Sequence, residues 1–237
     1  VIDLLLQNDT KERGDTTMKR VALIHTVRPV LGSFPELLEN IVGQKLKIHN
    51  ILDDFLASDP AEIGYFSLEN RKRLFNDLQS CELTKPDVIV VTCSTLTPAV
   101  QLIRPFINVP IVAIDDAMTE KAVRIGKKIK VVATAMSTLE PTISKLKMEA
   151  AIAGTEIEVD AEDNEPAYTA MRAGDMETHN RLVLEMIKQV KGYDCIVLAQ
   201  ASMGHLQEEA EQLAGVPVLA SPVLCCRKVK SILEGEA

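Results

Sequence analysis

Cys93 is the side chain in this sequence best placed for chemistry. It ends the apolar run of PDVIVVTCST, which begins at Pro86, and its surroundings are polar: Thr92, Ser94, Thr95 and Thr97 flank it, and Pro98 suits the first turn of a following helix. A thiol at a helix start faces the positive end of the helix dipole, which favours the thiolate, and the free amides there bind carboxylates. The chain carries the same pattern twice. NVPIVAI, from Asn108, completes the first copy; YDCIVLAQAS, from Tyr193, and GVPVLAS, from Gly215, form the second. Both pairs of segments align at one offset of 107 residues, which sets Cys93 on Gln200, Ser94 on Ala201 and Pro110 on Pro217. A pseudo-symmetric enzyme built this way offers one reactive group from each half to opposite faces of a substrate. In this chain only one half supplies a thiol. The Gln200 amide neither gains nor loses a proton near neutral pH, so it is no general acid or base, and what it can do is hydrogen-bond a ligand.

Thr26, Ser94, Thr95, Thr134, Ser137, Thr138, Ala201 and Ser202 fall at expected strand ends or the turns after them. Hydroxyls and helix-start amides there suit a small carboxylate. Each hydroxyl alone reads equally as a helix cap, above all Ser137 and Thr138; their clustering at matching ends of both halves points to substrate binding. His25 is a candidate auxiliary group, and His179, in DMETHNR, reads as part of a helix start. His25 precedes Thr26 and could polarise Cys93 or pair with a carboxylate, although a surface or core histidine is its plainer reading. Arg28 reads as a solvated loop residue or an anion clamp. Asp115 and Asp116 flank the site or cap a helix. Cys195 lies inside a strand and, with Cys81, Cys225 and Cys226, reads as a small apolar packing residue. The four histidines form no ligand pair, so no metal site is expected.

These residues need elements to carry them. The runs VALI (21–24), VIVV (88–91), IVAI (111–114), VVA (131–133), IVLA (196–199) and VPVLA (216–220) are continuous and rich in Val and Ile, as strands buried on both faces are. Helical spacing fills the intervals. SLENRKRLFNDLQSCEL starts at a capping Ser67 and aligns Leu74 with Leu78; DMETHNRLVLEMIKQV starts at Asp175 and aligns Leu182, Met186 and Val190; STLEPTISKLKMEAAIAG and LQEEAEQLAG stop at Gly154 and Gly215. Thr26 and Thr134 extend the repeat to the first strand of each half. The fold class is therefore α/β: two pseudo-symmetric flavodoxin-like lobes, each a parallel sheet flanked by helices, with an active-site cleft between them. Residues 18–114 plus 221–237 make the first lobe, to which a last helix (223–233) returns, and 115–220 the second.

With 237 residues and 46% hydrophobic residues, the chain can bury such cores. Aromatics at 3% leave no stacking platform, and a net charge of −8 argues against nucleic acid or an anionic membrane as partner. The odd count of five cysteines, without CxxC spacing, reads as free thiols in a cytoplasmic protein. Residues 1–17 are mostly polar and read as a poorly ordered extension; their apolar run is too short for a signal or a membrane span.

In this order the motifs resemble those of the aspartate/glutamate/hydantoin racemase superfamily. DVIVVTCST is similar to the motif of its first catalytic cysteine, ATAMSTLEPT to its ATxxTTLxPT segment, AGDMETHNRLV to the stretch before the second cysteine, and IVLAQASM to its second-cysteine motif, over 18–230. The resemblance implies a cofactor-independent, homodimeric enzyme. It would use Cys93 for proton transfer at a carbon next to the carboxylate or carbonyl of a small, amino-acid-like acid, and the likeness of AGDMETHNRLV makes His179 a candidate auxiliary group. Gln200 in the second-cysteine slot is the departure. Three routes stay open: His205 or water supplies a second proton, one thiol serves alone as in relatives that decarboxylate malonates, or Cys93 adds to a double bond as in maleate isomerases. Racemase-like isomerisation is the leading reading, with a single-cysteine decarboxylase and an inactive carboxylate-binding protein as alternatives. A sugar binder of periplasmic type would need a secretion signal and stacking aromatics, and neither is present.

Overall fold

The Val- and Ile-rich runs are strands, and two polar segments join them. In the computed structural model, which describes residues 18–236, the first sheet holds β1 (Arg20–His25), β2 (Lys47–Leu52), β3 (Val88–Val91) and β4 (Ile111–Ala113), all parallel, in the order β2-β1-β3-β4. The second repeats it with β5 (Lys128–Ala133), β6 (Glu158–Asp163), β7 (Cys195–Leu198) and β8 (Val218–Ala220), in the order β6-β5-β7-β8. Each half thus has four strands where the apolar runs show three. The added strands, KIHNIL and EVDAED, are sheet edges with mostly exposed side chains, so no apolar run marks them. The extension expected at residues 1–17 lies outside the described residues.

The helices follow their capping signals. They are α1 (Arg28–Val42), α2 (Phe55–Ile63), α3 (Leu68–Leu83), α4 (Thr97–Ile103), α5 (Asp116–Ile125), α6 (Leu139–Ile152), α7 (Glu165–Arg172), α8 (Met176–Gln189), α9 (Gln207–Ala214) and α10 (Ser221–Glu234). Ser67 and Asn70 form a full capping box at the start of α3, and Asp175 accepts from the Thr178 amide at the start of α8. Gly215 ends α9 in the left-handed conformation that glycine adopts without strain. In α8 the buried line is His179, Val183 and Ile187, with Leu182 and Met186 only half-buried beside it. The apolar stripe is wide, and its centre runs one residue off the spacing read from Leu182 and Met186.

Packing interlocks the halves. One face of the first sheet (Ala22, Ile24, Ile89, Val91) covers α3 and α4 through Leu74, Leu78 and Val100. Its other face (Val21, Leu23, Val88, Val90) covers Phe34 and Leu38 of α1 and Cys225, Cys226, Val229 and Leu233 of α10. Meanwhile α5, which leaves the first sheet after β4, packs under the second through Met118 and Ala122. Each sheet therefore sends its last helix toward the other, and Lys228 of α10 pairs with Glu120 of α5 where the two meet. Among the described residues no helix is long and apolar enough to cross a membrane.

Candidate active site

In both sheets the chain leaves the first strand toward one edge and the third toward the other. The crevice that such a switch opens lies between the carboxyl ends of β1 and β3 and, in the second half, of β5 and β7. Thr26 and Cys93 stand at the first switch point, Thr134 and Gln200 at the second. The turn Ser94–Leu96 touches the turn Met136–Thr138, so the two sites converge.

At the first switch point Cys93 is still extended (φ −126°, ψ 117°), and the chain then tightens into a 3-10 turn that leads into α4. Leu96 N donates to Cys93 O at 3.1 Å, and Thr97 N donates to Ser94 O. The Cys93 thiol is half-exposed and meets the Thr95 hydroxyl at 2.9 Å. The other four cysteines are buried, and burial pushes their thiols up: Cys81 and Cys226 to about 12, Cys195 to about 11, Cys225 well above its ordinary value. Only Cys93 combines access with a polar setting.

At the second switch point Gln200 turns its side chain back onto β5. Its Oε1 accepts from Thr134 N at 2.5 Å, from Ala135 N at 3.0 Å and from the Thr134 hydroxyl at 3.0 Å. Backbone amides only donate, so the atom facing them is the carbonyl oxygen and the –NH2 group must point away. Among the described residues none accepts from that nitrogen, which leaves two N–H donors for a ligand.

The sequence pattern of the Asp/Glu/Hydantoin racemase family matches residues 58–229, well over half of the chain. The chain belongs to this family. No curated protein matches it. The fold is shared with a putative Asp/Glu racemase from Yersinia pestis (19% identity, TM-score 0.72, covering 91% of this chain and 100% of that one). It is shared also with a glutamate racemase from Bacillus anthracis (15%, TM-score 0.67, 94% and 84%) and an arylmalonate decarboxylase (14%, TM-score 0.58, 92% and 94%).

In this member of the racemase family the remaining candidate residues take distinct places. Thr26 and Thr134 are buried at the strand ends, Ser94 and Thr95 are half-exposed beside the thiol, and Ala201 and Ser202 open the turn after Gln200. Thr138 donates to Ala135 O at 2.8 Å and does not cap α6; Ser137 is exposed. His25 is fully buried under the first switch point. Its Nε2 lies 3.1 Å from Asn50 Oδ1 and its Nδ1 2.8 Å from the Thr92 hydroxyl, which itself donates to Ile24 O at 3.1 Å. Burial, opposed by the Asn50 contact, lowers its pKa, so the ring is neutral and braces Thr92, next to Cys93. His179 is fully buried in the first turns of α8 with neither ring nitrogen hydrogen-bonded, and burial lowers its pKa too. His205 is exposed and holds Asn180 Oδ1 at 2.9 Å. Asp115 and Asp116 are buried and neither side chain caps α5. The residue reading passed over Ala135, whose part is played by its backbone, and the bond from Thr97 to Asp115, for which the polar tip around Cys93 was the sole signal.

Proposed function

We propose that this member of the racemase family is a cofactor-independent proton-transfer enzyme, in which Cys93 moves a proton at one face of a carbon next to the carboxylate or carbonyl of a small acid. The observation that carries this reading is the contrast between the switch points: an accessible thiol at one, an amide oriented by three donors at the other. Deprotonating such a carbon builds charge on the adjoining oxygens, and the reaction proceeds only where donors meet that charge. Gln200 Nε2 supplies two such donors from the second half. Thr26, Ser94, Thr95, Thr134, Ser137, Thr138 and the turn amides at Ala201 and Ser202 would hold the substrate carboxylate. A proton on the face toward Gln200 has no base there, so Cys93 works one face of the carbon.

That same fixed amide favours a second reading, decarboxylation of a malonate-type acid. Loss of CO2 leaves an enediolate that needs one proton from one face, which a single thiol provides. Proton NMR in D2O with a panel of amino acids, hydantoins and malonates tests both. Deuterium at the α-carbon that vanishes in Cys93→Ala supports thiol-dependent proton transfer, and release of CO2 selects the decarboxylase. Turnover that persists in Cys93→Ala would overturn both readings.

A further inference from the structure

The repeat allows the thiol-bearing turn to be compared with its counterpart in the same chain. In the first half Thr97, the first residue of α4, donates to Asp115 Oδ1 at 2.7 Å, and both side chains are fully buried. The offset that sets Cys93 on Gln200 sets Thr97 on Gly204 and Asp115 on Pro222. These two are neighbours as well: a Cβ built on Gly204 would lie 3.4 Å from Pro222 Cγ. The half that carries glutamine therefore closes the same turn with glycine against proline and no hydrogen bond. The fold does not require a hydroxyl–carboxyl pair at this place; it accompanies the thiol.

Burying that carboxyl is costly. Asp115 Oδ2 has no partner, and the nearby cation Lys145 is taken by Asp116 Oδ1 at 2.8 Å and Glu149 Oε1 at 2.5 Å. Burial, with the charge of Asp116 and against the Thr97 bond, pushes Asp115 up to about 7. The groups around it come from four elements. Asp116 lies beside it on α5, ionised and held by Arg104 at 2.7 Å from the end of α4. From α6 comes Lys145 with Glu149, and from α10 comes Cys225, a neutral thiol, with Lys228 beyond it.

We propose that Asp115 is a positioning residue for Cys93, acting through Thr97 to fix the turn that carries the thiol. This rests on Cys93 being the reactive group. The linkage is short: Thr97 N is bonded to Ser94 O and Leu96 N to Cys93 O, so the anchor on Thr97 is passed to Cys93 through one 3-10 turn.

The test is the rate of Cys93 alkylation by iodoacetamide against pH, read on the intact chain by mass spectrometry. It needs no turnover, and the four buried cysteines add little background. The wild-type profile should carry an extra inflection near 7, beyond the ionisation of the thiol itself. Asp115→Asn should remove it. Thr97→Val should move the inflection to higher pH, because the lost hydroxyl favours the ionised carboxyl, and Thr97→Ser should restore it. If Asp115→Asn does not fold, the two Thr97 variants decide. Thr97→Val with the wild-type profile, or Asp115→Asn with the inflection intact, would overturn the proposal. A failure of deuterium exchange with an intact alkylation effect would instead count against Cys93 as catalyst.

Discussion

Gln200 commits its carbonyl to two backbone amides and a hydroxyl, and its replacement measures what that does. Gln200→Ala leaves Thr134 and Ala135 unsatisfied at a strand end, so a loss of about 1–3 kcal/mol in urea unfolding is expected, together with a raised KM for any carboxylate substrate. Unchanged stability would mean that solvent fills the place freely. Asp115 predicts the opposite sign. Its folded pKa is raised to about 7 from an ordinary carboxyl value, so the folded state holds a proton that the unfolded chain releases as pH rises. Stability is therefore lost between about pH 4 and pH 7, and above 7 the ionised group is a standing cost. Asp115→Asn should raise the melting temperature at about pH 8 and leave it nearly unchanged near pH 4. For His25 and His179 burial lowers the pKa, so acidification below about 6.5 protonates the unfolded chain first and costs stability. His179→Leu removes an orphaned polar ring and should lessen that loss; a sharp loss of activity at unchanged stability would give His179 a chemical part.

The paired aspartates before the third strands show how closely the elements repeat. Asp87 accepts from Arg20 N at the start of β1, and Asp194 accepts from Lys127 N and Lys128 N at the start of β5. Gly126 lies against Asp194, and a Cβ there would come within 2.4 Å of its carboxyl carbon. Gly126→Ala should cost about 1–3 kcal/mol in thermal or urea unfolding, since the added Cβ would displace Asp194 from the two amides its carboxylate holds. At this scale the sequence was partly legible. The six strands buried on both faces announced themselves as runs of Val and Ile, whereas KIHNIL and EVDAED, one face open to water, carried no such run. The site divides the same way. Side-chain identity and repeat offset brought Cys93 and Gln200 to matching strand ends, but the contacts of Gln200 run to backbone amides, which leave no residue-type signature. Buried placement of Asp115 and His25 was equally hidden, because charge and polarity in a sequence suggest solvent.

Across the whole molecule the halves are held by helices that cross and by one buried ion cluster. Asp116, Arg104, Lys145 and Glu149 join the end of the first sheet to α6 of the second half. Burial alone would push Asp116 up, and Arg104 and Lys145 together hold it below the usual carboxylate range. Lys145→Met leaves two buried carboxylates short of a cation, so a loss of about 3 kcal/mol is expected in urea unfolding. This frame places an accessible thiol in one half and a fixed amide in the other, and the account stands on that asymmetry. The most direct test follows each enantiomer of a turned-over α-substituted acid separately in D2O, by NMR and chiral chromatography. The account predicts that deuterium enters one enantiomer with its configuration kept, and that Cys93→Ala loses the exchange. Both enantiomers exchanging and interconverting at similar rates would contradict it, because the Gln200 face would then have to deliver a proton.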